Sequence, residues 1–246
     1  MLKVVEAFSG IGAQKQALEK LNIEHEIINT IEWDINAIYA YDIMHHNDNS
    51  PSKLSKHEII ERLANVTLSP DGKKPFSDNG LYRIKEEKLQ KLYAAIRRNN
   101  NLCDITQVSG DMIPDDTDLL TYSFPCQDLS IGSVWYNKDN DGIRKGAKTR
   151  SGLLWEIERI LRERIMINVP LPKFLLMENV NAITSPKHNP NFVQWQEELE
   201  SMGYTNKVYK GLNALDFGVP QSRSRTFMLS IRNKDIEPEE ISNLNY

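Results

Sequence analysis

An apolar run from Lys3 to Phe8 breaks into Ser9-Gly10-Ile11-Gly12 and then into helical spacing as far as Leu21. That strand, glycine turn and helix restricts the fold more than any other stretch of the chain. A second strand over about Glu26 to Glu32 and helical spacing from Ile35 to Met44 extend it to a βαβα unit. Strands joined through a helix run parallel, and a parallel sheet needs cover on both faces, so later segments must continue the alternation.

They do so after an interruption. From His45 to Asn101, polar loops flank two helical patterns, near Lys56 to Leu63 and Lys85 to Arg98, and the stretch reads as an insertion. The alternation resumes with a strand or turn at Cys103-Asp104-Ile105, a short strand from Asp118 to Ser123 and an amphipathic helix near Gly152 to Ile167. Phe174-Leu175-Leu176-Met177 is an apolar strand ending in Glu178-Asn179; a helix near Phe192 to Met202 and strands at Thr205 to Leu212 and Thr226 to Arg232 follow. The expected fold class is α/β, a doubly wound, mostly parallel sheet with helices on both faces, Rossmann-like in plan. One main domain is expected over 1–232, with 45–101 as a helical insertion and 233–246 as a polar tail or linker.

No apolar run approaches the roughly 20 residues of a membrane span, and the start of the chain enters a strand instead of a signal peptide, so a cytoplasmic protein with no membrane partner is expected. The two cysteines, Cys103 and Cys126, offer neither a disulfide framework nor a cysteine-rich zinc site; reduced thiols and no metal are expected. A formal charge of −4 argues against a chain that coats nucleic acid nonspecifically, while leaving room for a local basic groove. The densest basic stretch, Lys138 to Arg150, holds Arg144, Lys145, Lys148 and Arg150 among glycines.

Pro125 cannot donate to a continuing ladder, so the chain should leave the sheet there and set Cys126 at a strand's carboxyl end, where open α/β sheets bind ligands. At the first turn, Gly10 and Gly12 let backbone approach a ligand at a helix N-terminus. The turn lacks the third glycine of a dinucleotide site and the Lys-Ser/Thr pair of a P-loop. Glu32, ending the second strand, is placed to accept both hydroxyls of a ribose. An adenosyl ligand without a pyrophosphate fits these residues, which points to S-adenosylmethionine. Trp33 can stack on an adenine or pack in the core, and Asp104 can accept from the adenine amino group or cap a turn.

The ordered set Glu6-Ala7-Phe8-Ser9-Gly10-Ile11-Gly12, Glu32-Trp33-Asp34, Phe124-Pro125-Cys126-Gln127, Glu178-Asn179-Val180 and Gln221-Ser222-Arg223-Ser224-Arg225 resembles the cytosine-C5 DNA methyltransferases, in particular bacterial modification methylases. Leu212 to Pro220 extends the likeness, which runs from about residue 3 to 232. The resemblance implies methyl transfer from S-adenosylmethionine to C5 of a cytosine flipped out of double-stranded DNA, with Cys126 adding to C6. Glu178 would contact N3 and the exocyclic amine, Arg225 the O2 carbonyl, and Arg223 would support the catalytic loop or the cysteine site. Asn179 would orient Pro125 and the cysteine loop. Phe8, Gly10, Ile11, Gly12, Glu32, Trp33, Asp104, Ile105, Pro125 and Leu153 would hold the cofactor. Residues Ile131 to Arg150 resemble the family's mobile loop, with a length and composition that assign no catalytic residue there.

After the arginine pair the family carries a variable target-recognition region and two further motifs, the last of which helps to close the cofactor pocket. These are expected on a second polypeptide or in a longer form of this chain. Two other functions remain open on the sequence: cytosine-C5 methylation of RNA, and a catalytically silent regulatory subunit.

Overall fold

A computed structural model describes residues 1–129, 142–147 and 149–235, divided between two compact units, Met1–Val108 and Ser109–Tyr246. The segment compared above with a mobile loop falls largely outside the described residues, as does the tail beyond Asp235.

In the first unit, β1 (Leu2–Ala7) and β2 (His25–Ile31) pair in parallel across α1 (Ala13–Lys20), as the alternation predicts. Val4 and Val5 are fully buried, and a register shift between them brings the strand ends level, with Ala7 opposite Ile31. The glycine turn after β1 and the acidic residue after β2 therefore emerge side by side. Helix α2 (Ile35–His46) starts at Asp34, whose carboxylate accepts the Asn36 amide.

The 45–101 segment folds onto α2. Its helices α3 (Lys56–Arg62), opened by a Ser55/Glu58 capping box, and α4 (Glu86–Arg98) bury Ile59, Ile60, Leu89, Leu92 and Ile96 against Ile35 and Ile38. Arg98 of α4 grips the buried Asp42 of α2 through Nη2 at 2.6 Å and Nε at 3.0 Å, a paired arrangement that compensates the buried charge. The expected strand or turn at Cys103 to Ile105 is a turn: Asn101 makes an isolated parallel bridge to Thr30, and Asp104 then caps a 3-10 turn at Ile105–Gln107.

The second unit has β3 (Leu119–Tyr122), α5 (Leu154–Met166), β4 (Phe174–Val180), α6 (Asn189–Ser201), β5 (Tyr204–Asn213) and β6 (Ser224–Arg232). β3 and β4 are parallel, while β6 lies between β4 and β5 and is antiparallel to both. Tyr122, Trp195 and Trp155 interlock edge to face, with ring centroids 6.0 and 5.6 Å apart. Two strand ends differ from the sequence expectation for one reason. The β4–β6 ladder continues through Glu178, Asn179 and Val180 opposite Phe227, Thr226 and Arg225, so Glu178 and Arg225 lie within strands instead of just outside them.

Candidate functional site

In the first unit the glycine turn is held from three sides. Gly10 donates its backbone N–H to Glu32 Oε2 (3.0 Å), while Glu32 Oε1 accepts from the Asp34 amide (2.8 Å). Burial pushes the Glu32 carboxyl above the usual carboxylate range, and those two donors oppose the shift. Behind the turn, the fully buried Glu6 accepts from the Lys15 amide (2.9 Å) and from Tyr41 Oη (2.6 Å). It thus supplies, from β1, the acceptor that a side chain at the glycine cap of α1 cannot. On the third side, His45 Nε2 donates to the Ile11 carbonyl (2.9 Å).

Gly12 is left-handed (φ 81°), and a Cβ there would lie 2.2 Å from His45 Nε2 and 2.7 Å from a Tyr41 ring carbon. Gly12→Ala is therefore expected to destabilise the fold by about 2 kcal/mol or more, read from the denaturation midpoint. Gly10, also left-handed, is open: apart from its chain neighbours, a Cβ there would meet no atom of the described residues nearer than the Phe8 carbonyl oxygen at 4.0 Å. Phe8 has φ 55° and is half-buried; Ile11 is exposed, Trp33 half-buried and Ile105 buried. Asp104 Oδ1 accepts from the Thr106 amide (3.0 Å) and hydroxyl (2.9 Å), so one carboxylate oxygen already serves as a cap.

Three residues that sequence reading did not single out organise this end of the unit. Tyr41 and His45 sit one turn apart on α2 and clasp the glycine turn, a partnership to which their spacing alone gives no pointer. Asn101 Oδ1 accepts from the amides of Glu32 (3.0 Å) and Cys103 (2.9 Å), and its Nδ2 donates to the Glu32 carbonyl (2.9 Å). This ties the approach to Asp104 onto the end of β2.

In the second unit, β-strand alternation splits the work of two consecutive residues. Asn179 lies on the buried side of β4 and donates from Nδ2 to the Phe124 carbonyl (3.0 Å), fixing the chain as it leaves β3. Glu178 lies on the opposite side, where Arg225 is its diagonal neighbour across the ladder; Arg225 Nε is 3.0 Å from Glu178 Oε1. Arg225 Nη1 also donates to the Ser224 carbonyl (2.8 Å). Cys126, half-buried, begins a turn closed by the Leu129 amide donating to its carbonyl (3.0 Å). Pro125 and Leu153 are half-buried in this unit. Arg223 is exposed, with its backbone paired to Ala214 and to Asn213 Oδ1, and no bond joins its guanidinium to the cysteine turn among the described residues.

The other thiol is a contrast. Cys103 is buried with φ 64°, and burial pushes it up to about 12, so at neutral pH it carries no useful thiolate.

The C-5 cytosine-specific DNA methylase model matches residues 81–246, which takes in the cysteine turn, the Glu178-Asn179 step and the arginine pair. The chain belongs to that family. Among its curated relatives, the orphan methyltransferase M.SssI of Spiroplasma monobiae is 43% identical over 96% of the chain, and the type II methyltransferase M2.ScrFI of Lactococcus lactis subsp. cremoris is 38% identical over 95%. The chain spans 61% and 62% of their respective lengths. Solved structures show the same doubly wound α/β fold. The S. pombe Dnmt2 methyltransferase aligns with TM-score 0.56 over 95% of the chain and 51% of its own, at 21% identity. A putative DNA modification methyltransferase of an E. coli prophage aligns with TM-score 0.55 over 97% of the chain and 50% of its own, at 17% identity. Among the described residues, no helix is long and apolar enough to cross a membrane.

Proposed function

We propose that this chain is the catalytic portion of an enzyme that methylates C5 of a cytosine flipped out of double-stranded DNA, through a covalent bond between Cys126 Sγ and C6. The observation that carries this reading is the Asn179–Phe124 bond: it ties the cysteine turn to the same two-residue step of β4 that presents Glu178 to Arg225. Outside such a pocket the pyrimidine ring stays stacked, and extracting it costs a few kcal/mol that the pocket must return.

The thiolate donates an electron pair to C6 while protonated Glu178 hydrogen-bonds and protonates N3, which leaves C5 electron-rich. Arg225 has donors beyond those on Glu178 and Ser224 and binds the O2 carbonyl, so the incoming base takes up part of the existing Glu178–Arg225 contact. Once C5 is methylated, loss of the C5 proton to solvent base, return of the N3 proton to Glu178 and expulsion of the thiolate restore the C5–C6 double bond and free the enzyme. Asn179 acts on the cysteine turn and not on the base; the supporting role proposed for Arg223 rests on its place in the motif, since its guanidinium makes no bond to that turn among the described residues.

The residues at the glycine turn fit S-adenosylmethionine. Gly10 opens onto free space beside a helix N-terminus, and the Glu32 carboxylate has acceptor positions beyond the two engaged by backbone amides. Bound there, the cofactor supplies the electrophilic methyl. Phe8, Ile11, Gly12, Trp33, Asp104 and Ile105 complete the contacts proposed in the first unit. Glu32→Ala is expected to weaken cofactor binding by roughly 1.5 to 3 kcal/mol, the range for a hydrogen bond to a charged group; unchanged affinity by calorimetry in a folded variant contradicts the assignment.

Residues 1–232 form the catalytic domain in this reading, and target recognition comes from a second polypeptide or a C-terminal region carrying the family's remaining motifs. The chain alone is then expected to transfer negligible tritiated methyl to duplex DNA. Addition of the complementing polypeptide should restore site-specific transfer, because positioning contacts supply several kcal/mol of barrier reduction. Robust site-specific methylation by the 246 residues alone refutes the split arrangement, and transfer to RNA without transfer to duplex DNA refutes the DNA substrate.

A further inference from the structure

Residue 151 closes a neck beneath the cysteine turn. Ser151 is fully buried, and its Oγ donates to the Pro125 carbonyl (2.7 Å), the peptide that leads directly into Cys126. The same residue forms a reciprocal pair with buried Asp128. The Ser151 amide donates to Asp128 Oδ2 (3.0 Å), and the Asp128 amide donates to Ser151 Oγ (3.3 Å). One residue further out, the Arg150 guanidinium meets the Gln127 amide oxygen. Residues 125–128 are thus joined to 150–151 across an intervening stretch of more than twenty residues.

The carbonyls of Phe124 and Pro125 are consecutive, and each is held by a different side chain, Asn179 from β4 and Ser151 from the start of the turn into α5. Two bonds on successive peptides fix the orientation of the plane that precedes Cys126, which one bond cannot do. The pair with Asp128 then fixes the other side of the turn, two residues past the thiol.

We infer that Ser151 and Asp128 are positioning residues for the Cys126 thiol, a role that rests on the methyl-transfer reading above. They touch neither base nor cofactor in this assignment; they act by holding the turn in the one orientation from which Sγ can approach C6. Misplacement of a reacting atom by about 1 Å is enough to cost roughly 10²-fold in rate.

The kinetic arm uses the chain with its complementing polypeptide. Ser151→Ala and Asp128→Ala should each lower kcat roughly 30- to 100-fold with little change in KM for duplex DNA or in cofactor affinity. Asp128→Asn, which retains an acceptor for the Ser151 amide, should recover most of the rate. The second arm measures hydrogen exchange on the chain alone: both alanine variants should accelerate exchange at residues 126–129 while 174–180 stay protected. Unchanged kcat in both alanine variants, or unchanged exchange at 126–129, overturns the proposal. If the wild-type complex forms no adduct with 5-fluorocytosine DNA, the methyl-transfer reading fails, and the exchange arm alone then decides whether the neck holds the turn. The bond is approached from both partners, so loss of folding in one variant leaves the other to decide.

Discussion

Cys126→Ser is expected to abolish covalent capture of DNA containing 5-fluorocytosine and to lower methyl transfer by roughly 10⁴-fold or more, the scale on which loss of an enzymatic nucleophile is felt. The fluorine cannot leave as a proton does, so the wild-type enzyme with its complementing segment should accumulate an adduct stable to denaturing electrophoresis. A serine hydroxyl keeps the size and the turn geometry but is far less ionised than a thiol at neutral pH. Cys103→Ser is expected to trap normally, because its buried thiol carries no useful thiolate. Equal trapping by wild type and Cys126→Ser would remove Cys126 from the mechanism.

Glu178→Gln should lower kcat by roughly 10² to 10⁴-fold, the usual worth of a positioned proton donor, with a smaller effect on DNA affinity. The substitution preserves shape and removes the ionisable carboxyl that would pass a proton to N3 and that lies 3.0 Å from Arg225. A structural consequence can be separated from the chemical one. The pair is partly exposed, with side chains 20% and 24% accessible, so its loss should shift the denaturation midpoint little. A variant that keeps full kcat would assign Glu178 to the ion pair alone.

Much of the element order was legible because it rests on local patterning. The glycine turn after β1, the helices of the 45–101 segment and the apolar strand before Glu178 all appear where their spacing places them. The ends of β4 and β6 were less legible. Glu178, Asn179 and Arg225 are polar, and polarity reads as a strand end until a neighbouring strand is known to continue the ladder. The order of strands in the second unit was equally out of reach, since insertion of β6 between β4 and β5 is a pairing over long separation.

The candidate site divides along the same line. Cys126 after Pro125, the glycines at 10 and 12, Glu32 and the Glu178-Asn179 step could be found by sequence alone, because each combines a residue type with a local backbone constraint. Their partners could not. Gly10 with Glu32, Glu6 with Tyr41, Asn179 with Phe124 and Pro125 with Ser151 are separated by 22, 35, 55 and 26 residues. The sequence by itself determined which residues are candidates for the chemistry and the alternating chain that carries them, since residue identity and period are local properties. Only the tertiary structure decided which backbone groups those side chains hold, because hydrogen-bond partners are chosen by packing and register after the chain has folded.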